Sequence, residues 1–211
     1  MKYPYILFDL DGTLIDTNEL ILTSFMYSLD ALHPNKYSRQ QVIDIMGKPL
    51  YEMMEILDRD NAQVLVDIYR KHNIENHDKL VKPFPYVIDV VKELADNGHK
   101  MALVTTKLRQ TAQMGLRLFG LDQYITETVC LEDTDKHKPD PEPLLLAMGK
   151  IGADPQLTIM VGDNPVDIIG AKNANVASCA VSWSMRGAEF MKQTEPDYMI
   201  DSMKELLAIV K

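Results

Sequence analysis

The stretch ILFDLDGTLID places Asp9, Asp11 and Asp16 within eight residues. An apolar run leads into it, and Gly12 and Thr13 lie between the second and third carboxylates. Two carboxylates one residue apart repel, and each loses hydration if it is enclosed. Something cationic is therefore expected nearby. Further along, Val104-Thr105-Thr106-Lys107 and Lys138-Pro-Asp-Pro-Glu-Pro143 offer lysines, and Gly162-Asp163-Asn-Pro-Val-Asp167 adds two more carboxylates. Asp9, Thr105 and Asp163 each follow a short apolar segment.

Those segments read as strands. Tyr5–Phe8 opens the chain as a buried strand. Asn18–His33 is helical, with Leu20, Ile21, Phe25, Leu29 and Leu32 at three- and four-residue spacing, and Pro34 stops it. Helices follow around 39–46, 50–57 and 61–72, and no strand is expected before Lys82. From there strands and helices alternate: helix 86–96, strand 100–105, helix 110–119, strand 125–130, helix 142–151, strand 158–161, helix 166–173, strand 177–181, a helix around 186–191, strand 198–200 and helix 203–210. Apolar strands alternating with helices predict a Rossmann-like, doubly wound parallel sheet covered on both faces. The first strand belongs to that sheet, so the α-helical stretch is an insertion. The expected division is an α/β core of residues 1–15 and 82–211 with a helical cap of 16–81. In such sheets ligands bind beyond the carboxyl ends of the strands, and Asp9, Thr105 and Asp163 share that edge.

Taken singly, each segment has an ordinary explanation. Asp-x-Asp-Gly before a loop is often a turn, Lys138-Pro139 a solvated loop, and Gly162-Asp163-Asn164-Pro165 a helix start capped by Asp163 or Asn164. In this order, at strand ends, the four together resemble the motifs of the haloacid dehalogenase superfamily of phosphotransferases, over nearly the whole chain. The nearer resemblance is to its phosphoglycolate-phosphatase-like members, and among these to the inorganic pyrophosphatases of Gram-positive bacteria, on FDLDGTLIDTNELI, LVTTK, KPDPEP, VGDNPVDIIGAKNA and TEPDYMI.

The resemblance implies a phosphohydrolase working through an aspartyl-phosphate. Asp9 matches the nucleophile and Asp11 the general acid/base. Mg²⁺ is implied on the Asp9 carboxylate, the Asp11 carbonyl and Asp163, a hard-oxygen set that suits it. Thr105 is expected to hydrogen-bond a phosphoryl oxygen, and Lys138 to neutralise Asp9 and the transferred group. Asp167, four residues after Asp163, is expected one helical turn below it, supporting the metal rather than binding it. Thr13, Thr106, Lys107 and Arg109 are candidate substrate contacts, since basic residues opening a helix oppose its dipole unless an anion sits there; solvation at the surface is the plain alternative. Lys48, in IMGKPL, falls where the family's caps carry a specificity loop, or else is a solvated turn residue. The dehalogenase branch lacks the second aspartate and is disfavoured.

The favoured substrate is inorganic pyrophosphate. The alternatives are phosphoglycolate or another small phosphomonoester and, from another class, a non-catalytic phospho-ligand-binding regulator, against which the intact Asp9/Asp11 pair argues. The 211 residues are 46% hydrophobic and 25% charged, enough to build a core, and carry a net charge of -9. That acidic balance argues against nucleic-acid or anionic-membrane partners and leaves a small anionic phosphate-containing substrate in a locally positive pocket. No obligate protein partner is indicated. Cys130 and Cys179 are far apart, and no signal peptide or membrane-length apolar run is present, so a reduced cytoplasmic setting is expected. The five histidines, His33, His72, His77, His99 and His137, lack ligand spacing and are expected at the surface. Trp183 is placed either at the pocket or in the core.

Overall fold

The computed structural model describes residues 1–211. In chain order the elements are β1 (Tyr5–Phe8), β2 (Ile15–Asp16), α1 (Asn18–Leu32), α2 (Arg39–Ile45), α3 (Leu50–Leu57), α4 (Ala62–Leu80), β3 (Lys82–Pro83), α5 (Val87–Asp96), β4 (Lys100–Val104), α6 (Arg109–Leu118), β5 (Glu127–Val129), α7 (Glu142–Ile151), β6 (Thr158–Gly162), α8 (Pro165–Asn173), β7 (Ala177–Val181), α9 (Ala188–Lys192), β8 (Tyr198–Ile200) and α10 (Met203–Val210). Six strands form one parallel sheet, ordered β5-β4-β1-β6-β7-β8. β1 lies inside it, between β4 and β6, which is why its residues are apolar on both faces.

The two-residue period of the strands divides the core. Ile6, Phe8, Met101, Leu103, Ile159 and Val161 face α5, α6 and α10, in a cluster with Val87, Val91, Leu116 and Leu206. Leu7, Ala102, Val104 and Met160 face the other way, onto Leu144, Ala147 and Met148 of α7 and Ala171 of α8. Helices therefore cover both faces, and the doubly wound α/β expectation holds. The helices α1–α4 build a separate apolar cluster around Phe25, Leu29, Val42, Met54 and Leu65, with α1 packed along α4.

Some boundaries differ from the expectations. α4 runs to Leu80 rather than ending near His72, because its second half keeps burying one face through Asn73 and His77. A strand does precede Lys82: β2 pairs antiparallel with β3, Ile15 opposite Pro83 and Asp16 opposite Lys82. Two residues are too few to show a period of two in sequence. This ribbon joins the chain entering the helices to the chain leaving them, and it accounts for the third carboxylate: Asp16 pairs with Lys82 at 3.4 Å and accepts from the Asn18 N–H. Two histidines are not at the surface. His77 is buried where α4 meets α6, near Gly115, and His99 is buried with Nδ1 on the Tyr3 carbonyl. Trp183 belongs to the core, its ring 5.6 Å from that of Phe84.

Candidate active site

The register of three central strands sets the site. Phe8 is level with Leu103 of β4 and Val161 of β6, so the residues after them emerge along one edge. These are Asp9 and Asp11, Thr105 to Lys107, and Asp163. The loop between β5 and α7 brings Lys138 to the same place. A cavity of about 340 Å³ opens above this edge, and residues from the α1–α4 helices and their connections form its opposite wall.

Lys138 is the enclosed cation. Its ammonium donates to Asp9 Oδ1 at 2.8 Å, to Asp167 Oδ1 at 2.6 Å and to the Val104 carbonyl at 2.8 Å. All three N–H donors are used, which is what a buried ammonium requires. Burial opposes its charge, but Asp167 and Asp9 outweigh this and hold it protonated well above the ordinary lysine range. Asp167 Oδ2 accepts from the Asn164 N–H at 3.0 Å, closing a capping box at the start of α8, where Pro165 occupies the first turn. Asp167 thus lies in the first turn of α8, while Asp163 precedes the helix; the expected helical offset between them is replaced by a loop and a cap.

Asp9, Asp163 and Asp167 present carboxylate oxygens all within 4.8 Å of one another. Burial is the chief cause that pushes the Asp9 carboxyl up to about 7, eased by Lys138 and aggravated by Asp167. Burial, then Asp9 and Asp167, raise Asp163 well above the carboxylate range. Asp9 and Asp167 share one ammonium, while the half-buried Asp163 receives only the Thr13 hydroxyl, at 3.3 Å. A further cation beside Asp9 and Asp163 fits this imbalance, and the donors are the hard oxygens that a divalent ion such as Mg²⁺ takes. Gly12 keeps the space: at φ +82 it adopts a conformation that disfavours side chains, and a Cβ there would lie 2.3 Å from Asp163 Oδ2.

The other predicted residues divide. Thr105 and Thr106 line the cavity, as does Lys48 from the α2–α3 connection. Thr105 Oγ1 accepts from the Lys107 N–H, leaving its O–H free to donate. Lys107 lines the cavity but is engaged, its Nζ 2.8 and 3.0 Å from the two oxygens of Asp11. Thr13 is corrected from a substrate contact to a support of Asp163; it is fully buried and absent from the cavity wall. Arg109 is also corrected. It points away, to Thr128 at 2.7 Å and to Asp133, so its own carboxylate partner satisfies it and no anion is required. Among the wall residues not foreseen are Tyr69, Arg70 and Asn73 of α4. They lie in and just past the segment where the expected helix stopped.

A strand-end aspartate pair, a buried lysine and a second acidic loop beneath a helical insertion define a hydrolase of the haloacid dehalogenase type. The family model for haloacid dehalogenase-like hydrolases matches residues 6–181, and the chain belongs to that family. It is 48% identical over 210 residues to a protein named pyrophosphatase PpaX from Halalkalibacterium halodurans, covering 100% of this chain and 98% of the relative. It is 42% identical to the pyrophosphatase PpaX of Bacillus cereus, over 100% and 97% of the two chains. A haloacid dehalogenase-like hydrolase from Bacteroides fragilis superposes with a TM-score of 0.89 at 28% identity, covering 97% of this chain and 99% of that one. A predicted phosphoglycolate phosphatase from Haemophilus somnus superposes at 0.91 with 23% identity, covering 100% and 99%, a likeness of fold alone. No helix is long and apolar enough to cross a membrane.

Proposed function

We propose that this hydrolase splits inorganic pyrophosphate into two phosphates through an aspartyl-phosphate on Asp9, with Mg²⁺ as its metal. The observation that carries the chemistry is the imbalance of three clustered carboxylates beside a single ammonium that reaches two of them, with Asp11 opening on the same cavity. The names of relatives matching along the full chain favour pyrophosphate over phosphoglycolate or another phosphomonoester.

Asp9, Asp163 and the Asp11 carbonyl would hold the metal, which when bound neutralises the carboxylates and the attacked phosphoryl group. Lys138 favours the ionised form of Asp9 and orients it by occupying Oδ1. The other Asp9 oxygen attacks phosphorus, the bridging P–O bond breaks, and its electron pair leaves with the first phosphate. Thr105 donates to an oxygen of the transferred group. Asp11 then accepts a proton from water as the water oxygen attacks the aspartyl-phosphate. The Asp9–phosphorus bond breaks, the second phosphate departs, and Asp9 returns as carboxylate. The helical unit of residues 16–81 acts as a cap that excludes bulk water from these steps.

Phosphate release from pyrophosphate tests the metal requirement. It is expected to cease in EDTA and return with Mg²⁺, while Ca²⁺, with looser and higher coordination, inhibits. Undiminished turnover by metal-free protein would overturn the site assignment.

A further inference from the structure

We infer that Arg70, on α4, is the cap residue that anchors the anionic leaving end of the substrate. The inference rests on the phosphohydrolase reading above and says which end of the substrate the cap reads.

Arg70 lines the cavity that contains Asp9, Asp11, Thr105 and Lys138. Its Nε–H is buried and has no hydrogen-bond partner, and no carboxylate lies within ion-pair distance of its guanidinium, although seven lysines and two other arginines are engaged in ion pairs. A buried guanidinium N–H left unmatched is costly, and Arg70 itself, half-buried, borders the substrate cavity. The two lysines that line the cavity from the sheet side cannot serve the same end, because Lys138 is saturated and Lys107 is held by Asp11. Arg70, Asn73 and Ile74 share one face of α4 at helical spacing, and all three reach the wall. A guanidinium gives a planar fork matched to two oxygens of a phosphate or a carboxylate. The end held by Arg70 is thus the group that departs when Asp9 is phosphorylated, and the ligand class is an anhydride or ester of phosphate whose leaving portion already carries a phosphate or carboxylate group before the bond breaks.

The experiment compares Arg70→Gln and Arg70→Lys with the unaltered enzyme in Mg²⁺, on pyrophosphate, on phosphoglycolate and on an aryl phosphate with an uncharged leaving group. Arg70→Gln is expected to lower kcat/KM roughly ten- to a hundredfold on the substrate with an anionic leaving end and to change the aryl phosphate by less than about threefold. Arg70→Lys is expected to recover part of the loss. Exogenous guanidinium is expected to raise the activity of Arg70→Gln on the anionic substrate alone, which a structural role would not produce. Equal losses on all three substrates, or no loss on any, would overturn the assignment. If the unaltered enzyme prefers phosphoglycolate, pyrophosphate is wrong as the substrate, while a selective loss in Arg70→Gln still upholds Arg70.

Discussion

Asp9 and Asp11 sit two positions apart but in different surroundings. Asp9 is enclosed and bound to Lys138, whereas Asp11 opens on the cavity and is paired with Lys107. That difference separates their variants. Asp9→Asn removes the proposed nucleophile and is expected to abolish turnover, by at least about a thousandfold, with no initial release of phosphate. Asp11→Asn leaves the proposed nucleophile and removes the proposed base of the second step, at an expected cost of about a hundred- to ten-thousandfold. Phosphate leaves pyrophosphate readily without a proton from Asp11, so this variant is expected to release one phosphate per active site in a burst and then stall. Rapid-quench measurement checks both, and a burst from Asp9→Asn would place the nucleophile elsewhere. These two residues were legible in sequence because their spacing is local and their strand is apolar. Arg70 was not: nothing in IYRKHN separates an arginine facing a cavity from one facing water. Arg109 was misread because its partners Thr128 and Asp133 are distant in sequence.

The elements hold the site at strand ends, and one loop ties the helical unit to it. The Asn164 side-chain amide donates to the Met46 carbonyl at 3.2 Å. Gly47, next along, has φ +109, and a Cβ there would stand 2.5 Å from Asn164 Oδ1. Gly47→Ala therefore meets backbone strain and a clash at the same point. It is expected to disfavour this contact by about 1–3 kcal/mol, read as a roughly five- to hundredfold fall in kcat/KM with the thermal midpoint of the core little changed. Activity equal to the unaltered enzyme would mean that this loop does not govern access. The longer helices and strands were visible through their apolar periods. The β2–β3 ribbon and the second half of α4 were not, since the first has no room for a period and the second buries Asn73 and His77 rather than aliphatic residues.

At the scale of the molecule, a chain of net charge -9 gathers four cationic side chains around one cavity between sheet edge and helices. Lys48 and Arg70 face it from the helical side, and Lys107 and Lys138 from the sheet. Such a cavity accepts a compact, multiply charged phosphate and offers little to an extended polyanion. The sheet order and the crossing of the helical unit between β2 and β3 create this enclosure, and the order of four short segments along the chain already implied it. The central claim is that pyrophosphate is the substrate for which the enclosure is built. It is tested most directly by steady-state phosphate release in Mg²⁺ at saturating and limiting concentrations of pyrophosphate, phosphoglycolate, sugar phosphates and nucleotides. Pyrophosphate is expected to give the highest kcat/KM, at least about tenfold above phosphoglycolate; phosphoglycolate exceeding pyrophosphate by that margin would contradict it.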